Sequence, residues 1–507
     1  MIFSIFSKTN PFCSIIVLSI AIVIMIFFGI SKKKWIKKFT IVLAAASLTA
    51  ALLANIYNFA ALGNFSSHLV SFEILQVVEI TIILFGALNI LFFISANNIE
   101  NEHFIKILIL LLFSVYCIIF IIISKNFLLI FLSLCTFLIS IFQLVTSLNT
   151  RWSTGAKYIS RFFMSSSLAA AMVFFGFSVT YGSTDFRNFR QIVESEVLLN
   201  PIAIAGIIIF GVAIYLYLFL FPFQGPYLKL MRRCEYSSLP VVWFLYFPAG
   251  IFLLGKLNEV IFYIKENCNI YAAAIFVALS FICIVFGNIG AARTTSMRRI
   301  FSFIFLSFNG IYLLNYGALS AGFISIETVQ WLNIVNLSIL AISFFPAYSI
   351  AVNIEKSKGS DSAFGIRGFL RSNTYLSINL IIILLSWFYY IELFAIYFRE
   401  WNLLEMDISN LAVLILAGIS FIFLAVNIFR LIIIQFLKSS KENSRSGTDD
   451  STNSIVFPKF YYIYISFFTV IVLIMLAAAI LRILNVEIFV SGFEITGGKF
   501  LEYLMAK

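Results

Sequence analysis

Phe104-Ile-Lys-Ile-Leu-Ile-Leu-Leu-Leu-Phe-Ser-Val-Tyr-Cys-Ile-Ile-Phe-Ile-Ile-Ile123 is followed, after only Ser124-Lys-Asn126, by Phe127-Leu-Leu-Ile-Phe-Leu-Ser-Leu-Cys-Thr-Phe-Leu-Ile-Ser-Ile-Phe-Gln-Leu-Val-Thr-Ser-Leu148. A helix of about 20 residues rises about 30 Å, the thickness of a bilayer's hydrocarbon layer. Only a helix or a closed barrel satisfies its own backbone in lipid, and neither stretch alternates as a barrel strand does. The pair therefore reads as two membrane-spanning helices joined by a tight turn. Working outward, fourteen such apolar runs follow one another: 11-30, 40-62, 74-95, 104-123, 127-148, 162-181, 201-223, 238-254, 269-287, 300-318, 328-352, 375-397, 411-437 and 457-481. The fold class is an all-α polytopic membrane protein with about 14 transmembrane helices.

Composition agrees. Of 507 residues 62% are hydrophobic and 11% charged, whereas soluble chains carry about 25% charged residues. The net charge of +11 is no sign of nucleic-acid binding, because the basic residues sit in short loops between apolar runs. Sorting the 34 Lys and Arg by alternate sides places 23 on the side reached after the first run, 10 on the other, and Arg430 inside a run. The positive-inside rule then puts the 23-charge side in the cytoplasm and both termini outside. A bacterial inner (cell) membrane is the expected location. The first run has its Lys cluster after it, the reverse of a cleaved signal peptide.

Redox and metal chemistry find little support. Six scattered cysteines show no CxxC spacing, and the only histidines, His68 and His103, lie between runs. No cofactor is expected. Gly250-Ile-Phe-Leu-Leu-Gly255-Lys256-Leu257 nearly spells a P-loop but lacks the Ser or Thr that binds magnesium, and reads as chance in an apolar helix.

Ionisable groups inside runs carry more information, since each costs about 2.5–3.5 kcal/mol at the bilayer centre on insertion scales. Glu79, Glu392, Arg399 and Arg430 are the candidates. Glu79 is close enough to its helix start to reach the interface, and Arg430 close enough to its helix end to snorkel. Glu392 and Arg399 are seven residues apart, on one helix face; either they meet in a hydrated interior or Arg399 marks the helix end. Pro222, Gly225 and Pro226, in Leu220-Phe-Pro-Phe-Gln-Gly-Pro-Tyr227, break the seventh run or merely end it.

The stretch Phe286-Gly-Asn-Ile-Gly-Ala-Ala-Arg-Thr-Thr-Ser-Met-Arg-Arg-Ile-Phe-Ser-Phe303, continuing to Asn309-Gly310, resembles the helix 9 to 10 junction of the antiporter-like subunits of respiratory complex I, most of all subunit N. Lys157-Tyr158 through Ser165–Leu168 to Tyr181-Gly182, Phe221-Pro-Phe223, and Phe364-Gly-Ile-Arg-Gly368 agree in order, over roughly residues 74 to 440. The resemblance implies two inverted five-helix repeats with broken helices 7 and 12. The layout is then 1-103 (helices 1-3), 104-260 (first repeat), 261-437 (second repeat), 438-456 (flexible polar linker) and 457-507 (helix 14 and tail). It also implies an embedded chain of Glu and Lys that passes protons, driven by quinone chemistry elsewhere. Partners would be other membrane subunits and lipid, with no directly bound NADH and no redox centre in this chain.

The relay positions depart from that pattern. Placing Pro222 on the family's proline puts Tyr217 at the helix 7 lysine, Gly250 at the helix 8 lysine, Arg399 at the helix 12 lysine, and Cys135 near the helix 5 glutamate. Gln224 and Lys229 stand where a histidine and an aspartate are expected. Arg stays charged, Tyr with a reference pKa of about 10 stays neutral at pH 7, and Gly offers nothing. Two outcomes stay open: an impaired relay, or water chains ordered by Glu392, Arg399, Tyr217, Lys229 and Glu79. Two other classes compete: an Mrp-like cation/proton antiporter subunit, and a fourteen-helix exporter of lipids or polysaccharides. The low-GC composition, with 60 Phe, is a mutational route by which family motifs drift.

Overall fold

The computed structural model describes residues 12–29, 34–61, 65–66, 70–98, 103–149, 152–184, 201–262, 266–320, 326–358, 362–367, 369–389, 408–437, 465–466 and 469–472. Among them nine helices are long and apolar enough to cross a membrane, and four shorter apolar helices accompany them. The chain divides into two compact units, Met1–Ala341 and Ile342–Lys507.

The first unit holds α1 (Cys13–Gly29), α2 (Lys34–Ala61), α3 (Ile74–Asn98), α4 (Phe104–Ile123), α5 (Phe127–Leu148), α6 (Trp152–Thr184), α7 (Pro201–Tyr217) and α8 (Gly225–Arg233). Then comes α9, which starts at Leu239–Val241, passes through a π-helical turn at Val242–Tyr246 and continues as Phe247–Phe262. Next are α10 (Glu266–Arg293), α11 (Met297–Ser320) and α12 (Ile326–Ile339). The unit boundary falls inside a second π turn, Leu340–Phe344. The second unit has α13 (Phe345–Lys358), the one-turn α14 (Phe369–Ser372), α15 (Thr374–Leu385) with a 3-10 turn Ser386–Tyr389, and α16 (Ile408–Phe436). Within this unit Trp387 Nε1 donates to Ser343 Oγ at 3.1 Å and Ser377 Oγ donates to Gln435 Oε1 at 2.7 Å. Among the described residues the all-α expectation holds apart from one pair of two-residue strands, Phe65–Ser66 and Ser71–Phe72.

Burial shows which helices face lipid. In α1, Ile15, Leu18, Ile22 and Met25 are buried while Ile16, Ile20, Val23 and Phe27 are exposed. Both faces are equally apolar, because neither neighbouring helices nor lipid ask for polar groups. Only contact distinguishes them. Helix α4 is buried nearly all round because α1, α2, α3, α5 and α9 pack against it. Small residues set the closest approaches. A Cβ built on Gly176 of α6 would lie 2.8 Å from the Gly206 carbonyl of α7, and one on Gly206 would lie 2.9 Å from the Gly176 carbonyl. Gly176 and Thr180 form a small-xxx-small face that lets the two backbones touch.

Several run boundaries need correcting. The sixth helix starts at Trp152 rather than 162, so Lys157 and Arg161 ride on it instead of preceding it. The eighth run, expected to stop at 254, continues to Phe262 and carries Lys256, only 9% exposed, into the protein. Glu392, Arg399, the linker 438-456, most of run 457-481, and His68 lie outside the described residues, as does the last third of the twelfth run, in which a break was expected.

Candidate functional site: the interrupted seventh span

The seventh run is not one helix. Helix α7 ends at Tyr217, Phe219 adopts the left-handed region with φ 48°, the Phe221–Pro222 peptide is cis, and α8 restarts at Gly225 with Pro226 in its first turn. A non-glycine residue with positive φ is uncommon and marks a backbone held by its surroundings. Phe219 is fully buried, and its ring lies 4.9 Å from that of Phe162. Proline at 222 has no amide to continue the helix, and a break inside lipid leaves carbonyls that need donors. Tyr215 Oη supplies one by donating to the Phe221 carbonyl. Pro222 lies in the turn between the two helices, and Gly225 and Pro226 open α8 just beyond the end of the seventh run at 223.

Next to the break sits an aromatic cluster. The rings of Tyr217 and Tyr246 stack with centroids 4.4 Å apart at 8°. Tyr217 Oη donates to the Tyr246 carbonyl at 3.3 Å, and Tyr246 Oη donates to the Tyr217 carbonyl at 2.9 Å and lies 2.9 Å from Ser166 Oγ. Each phenol thus ties itself to the other residue's backbone. Around them, Tyr227 Oη accepts from Trp243 Nε1 at 2.8 Å and donates to the Ser302 carbonyl at 3.2 Å. Phe162, Phe247 and Phe305 complete the packing. Tyr217, Tyr227 and Tyr246 are all fully buried.

Gly250 explains how this cluster fits. A Cβ on Gly250 would stand 2.6 Å from Leu218 Cδ2 and 2.7 Å from Tyr217 Cδ1. Real Cβ atoms do not approach so closely, so the ring of Tyr217 occupies the room that any side chain at 250 would need. Tyr217 and Gly250 thus form one packing arrangement.

The other sequence candidates are dispersed. Lys229 is exposed on α8, beside Arg232 and Arg233, and takes no part in the Tyr217 cluster. Glu79 lines a separate cavity with Lys256, Tyr316 and Asn333. Gln224 Oε1 is buried without a hydrogen-bond partner among the described residues. Cys135 is half-buried in α5, and Arg430 is partly exposed in α16. Arg298, within the helix 9 to 10 motif, donates from Nη1 to the Cys234 carbonyl at 2.9 Å and so ties α11 to the loop after α8. Sequence reasoning missed Tyr246 and Asn333. Their signal was a polar side chain inside an apolar run, but a neutral one. Among the described residues no cluster of three or more His, Cys, Asp or Glu could hold a metal.

No family model matches the sequence. A chain of the respiratory complex I from Thermus thermophilus with bound aureothin superposes with a TM-score of 0.66 at 16% identity, covering 92% of this chain and 97% of that one. A chain of the Mrp complex from Dietzia sp. DQ12-45-1b gives 0.69 at 13%, covering 87% and 83%. The fold is therefore shared with these chains of complex I and of the Mrp complex, and its apolar helices make it a multi-pass membrane protein. In sequence the chain is similar to NADH-quinone oxidoreductase subunit N 2 of Thermodesulfovibrio yellowstonii, 23% identical over 387 residues, 74% of this chain and 78% of the relative. Subunit N of Cytophaga hutchinsonii is 26% identical over 228 residues, 45% of this chain and 47% of its own length.

Proposed function

We propose that this chain is an integral membrane subunit, of the subunit N type, of a proton-translocating NADH:quinone oxidoreductase, and that its own relay through the first repeat is closed. It sits in the bacterial inner membrane with both termini outside the cytoplasm, among other membrane subunits. The two inverted repeats occupy 104-260 and 261-437. The similarity to subunit N, extending over most of the chain, supports the class.

The contact of Tyr217 with Gly250 carries the closed relay. A relay lysine works by releasing a proton when burial lowers its pKa, which neither a phenol nor a glycine does at neutral pH. Here the lysine positions hold a stacked tyrosine pair whose hydroxyls are committed to backbone carbonyls. Water has no room between rings at 4.4 Å.

Purification in mild detergent followed by mass spectrometry of the partners tests the assembly. Co-purifying NADH-oxidising peripheral subunits support it, and a chain that purifies alone refutes it. Restoring Lys at 217 and 250 together, in complex reconstituted into liposomes, is expected to raise proton uptake per NADH oxidised; no change removes the closed-relay reading. The Mrp-type fold likeness favours one second reading, a cation/proton antiporter subunit, for which sodium-dependent growth without NADH-oxidising partners is the sign.

A further inference from the structure

Basic side chains gather where α6 begins and α8 ends. On α8, Lys229, Arg232 and Arg233 are exposed on one face, while Tyr227, Leu230 and Met231 are buried on the other. On α6, Lys157 and Arg161 are exposed one turn apart. Tyr158 joins the two groups. The Arg233 guanidinium carbon stands 6.0 Å from the centre of its ring, and Lys157 and Arg161 flank that ring along the helix. Among the described residues no acidic side chain pairs with any of these five cations. Glu235, just past Arg233, makes its contacts elsewhere. Like charges on two touching helices repel one another, and the described fold supplies nothing to offset them.

Beyond these charges the same face of α6 turns apolar. Lys157, Arg161, Met164, Leu168 and Phe175 fall within an arc of about 60° at 100° per residue. Met164, Leu168 and Phe175 are 65%, 56% and 57% exposed, so no described helix covers this face. Phe175 lies about 21 Å along the axis from Arg161, past the roughly 15 Å of hydrocarbon in one leaflet. The charges therefore stop where an apolar stripe begins, and that stripe is long enough to cross a leaflet. An acidic soluble segment would answer the charges and leave the stripe bare. A neutral lipid would cover the stripe and leave the charges. An acidic phospholipid answers both, because its phosphate oxygens accept charge-assisted hydrogen bonds from guanidinium groups and its acyl chain fits an apolar helix face.

We propose that the α6–α8 edge binds an acidic phospholipid, its phosphate held among Lys157 and Arg161 of α6 and Arg233 of α8, with one acyl chain laid along Met164 and Leu168. Lys229 and Arg232 attract the headgroup through their charge. Because the phosphate bridges two elements, the lipid clamps α8, the segment that follows the interruption at Pro222, to the continuous helix α6. The site is independent of which complex the chain joins.

Native mass spectrometry of the purified full-length protein, given equal amounts of palmitoyl-oleoyl phosphatidylglycerol and phosphatidylcholine, tests it. Phosphatidylglycerol adducts are expected to exceed phosphatidylcholine adducts several-fold, and equal retention overturns the proposal. Arg161→Gln combined with Arg233→Gln is expected to remove the preference. Lys106→Gln, on the exposed start of α4, whose packing partners are α1, α2, α3, α5 and α9, is expected to keep it. A preference that survives the double substitution, or is lost equally with Lys106→Gln, overturns the site. Two measurements need no charge variant to fold. On the unaltered protein, dihexanoyl phosphatidylglycerol and inorganic phosphate are expected to displace the long-chain lipid only weakly; full displacement by either overturns the acyl-chain seat. A benzophenone side chain placed at position 164 is expected to crosslink to phospholipid in native membranes, and a polypeptide adduct in its place overturns the lipid as occupant.

Discussion

Substituting Gly250 by alanine adds one carbon and asks whether the glycine exists for Tyr217. Taken alone, alanine in a helix is favoured over glycine by about 1 kcal/mol. Here the new Cβ meets Leu218 Cδ2 at 2.6 Å and Tyr217 Cδ1 at 2.7 Å, against ordinary contacts beyond 3.4 Å, in a core that holds Tyr217 by a ring stack and a backbone hydrogen bond. Such overpacking costs about 1–3 kcal/mol. The net expectation for Gly250→Ala is a loss of up to about 2 kcal/mol, at most roughly a thirty-fold fall in the folded-to-unfolded ratio. Tyr217→Ala by itself opens a cavity and costs about 3–5 kcal/mol. In that second background the two Tyr217 contacts are gone and only the flexible end of Leu218 has to shift, into the space the ring vacates, so Gly250→Ala becomes close to neutral. Reversible SDS unfolding of the four proteins of this double-mutant cycle measures the coupling, expected at up to about 2 kcal/mol. An alanine at 250 that costs the same with and without Tyr217 refutes the reasoning.

Gly206→Leu drives a branched side chain into the Gly176 carbonyl of α6, and is expected to separate α6 from α7 and lower the melting temperature more than Gly250→Ala does. Tyr227→Phe removes the acceptor for Trp243 Nε1 and the donor to the Ser302 carbonyl; leaving the buried indole N–H unsatisfied is expected to cost about 1–3 kcal/mol by the same unfolding assay. Burial pushes the Cys234 thiol up to about 12, against a smaller opposing pull from Arg298. At pH 8 its thiolate is then about one part in ten thousand, so maleimide is expected to leave Cys234 unmodified in the native protein and label it after unfolding, as read by peptide mass spectrometry. Lys229→Gln, on the exposed face of α8, is expected to leave stability unchanged within about 0.5 kcal/mol.

The spans were readable because a run such as Phe104–Ile123 has no alternative to a helix in lipid. The end of α7 just before Pro222 follows from the residue type, because proline has no amide to continue a helix. Run edges were less legible. Hydropathy stops at the first charge, so Lys256 was assigned to a loop, although the helix continues past it to Phe262. The site itself was partly visible. Tyr217 and Gly250 emerged as substituted positions, but nothing local revealed that one fills the space left by the other. Tyr246 and Asn333 went unnoticed because a search weighted by the cost of burying charge passes over neutral amides and phenols. The meeting of Glu79 with Lys256 joins residues far apart in the chain, and only tertiary packing brings them to one cavity.

The π turn at Val242–Tyr246, closed by the Phe247 amide on the Val242 carbonyl, inserts one residue into the winding of α9. That extra residue advances everything after it by about 100° of azimuth relative to an uninterrupted helix. Gly250 beside Tyr217, and Lys256 at its cavity, therefore owe their bearings to a phase offset set upstream. Deleting a single residue from that turn would rotate both away from their neighbours at once, while leaving the hydropathy profile of the span almost untouched.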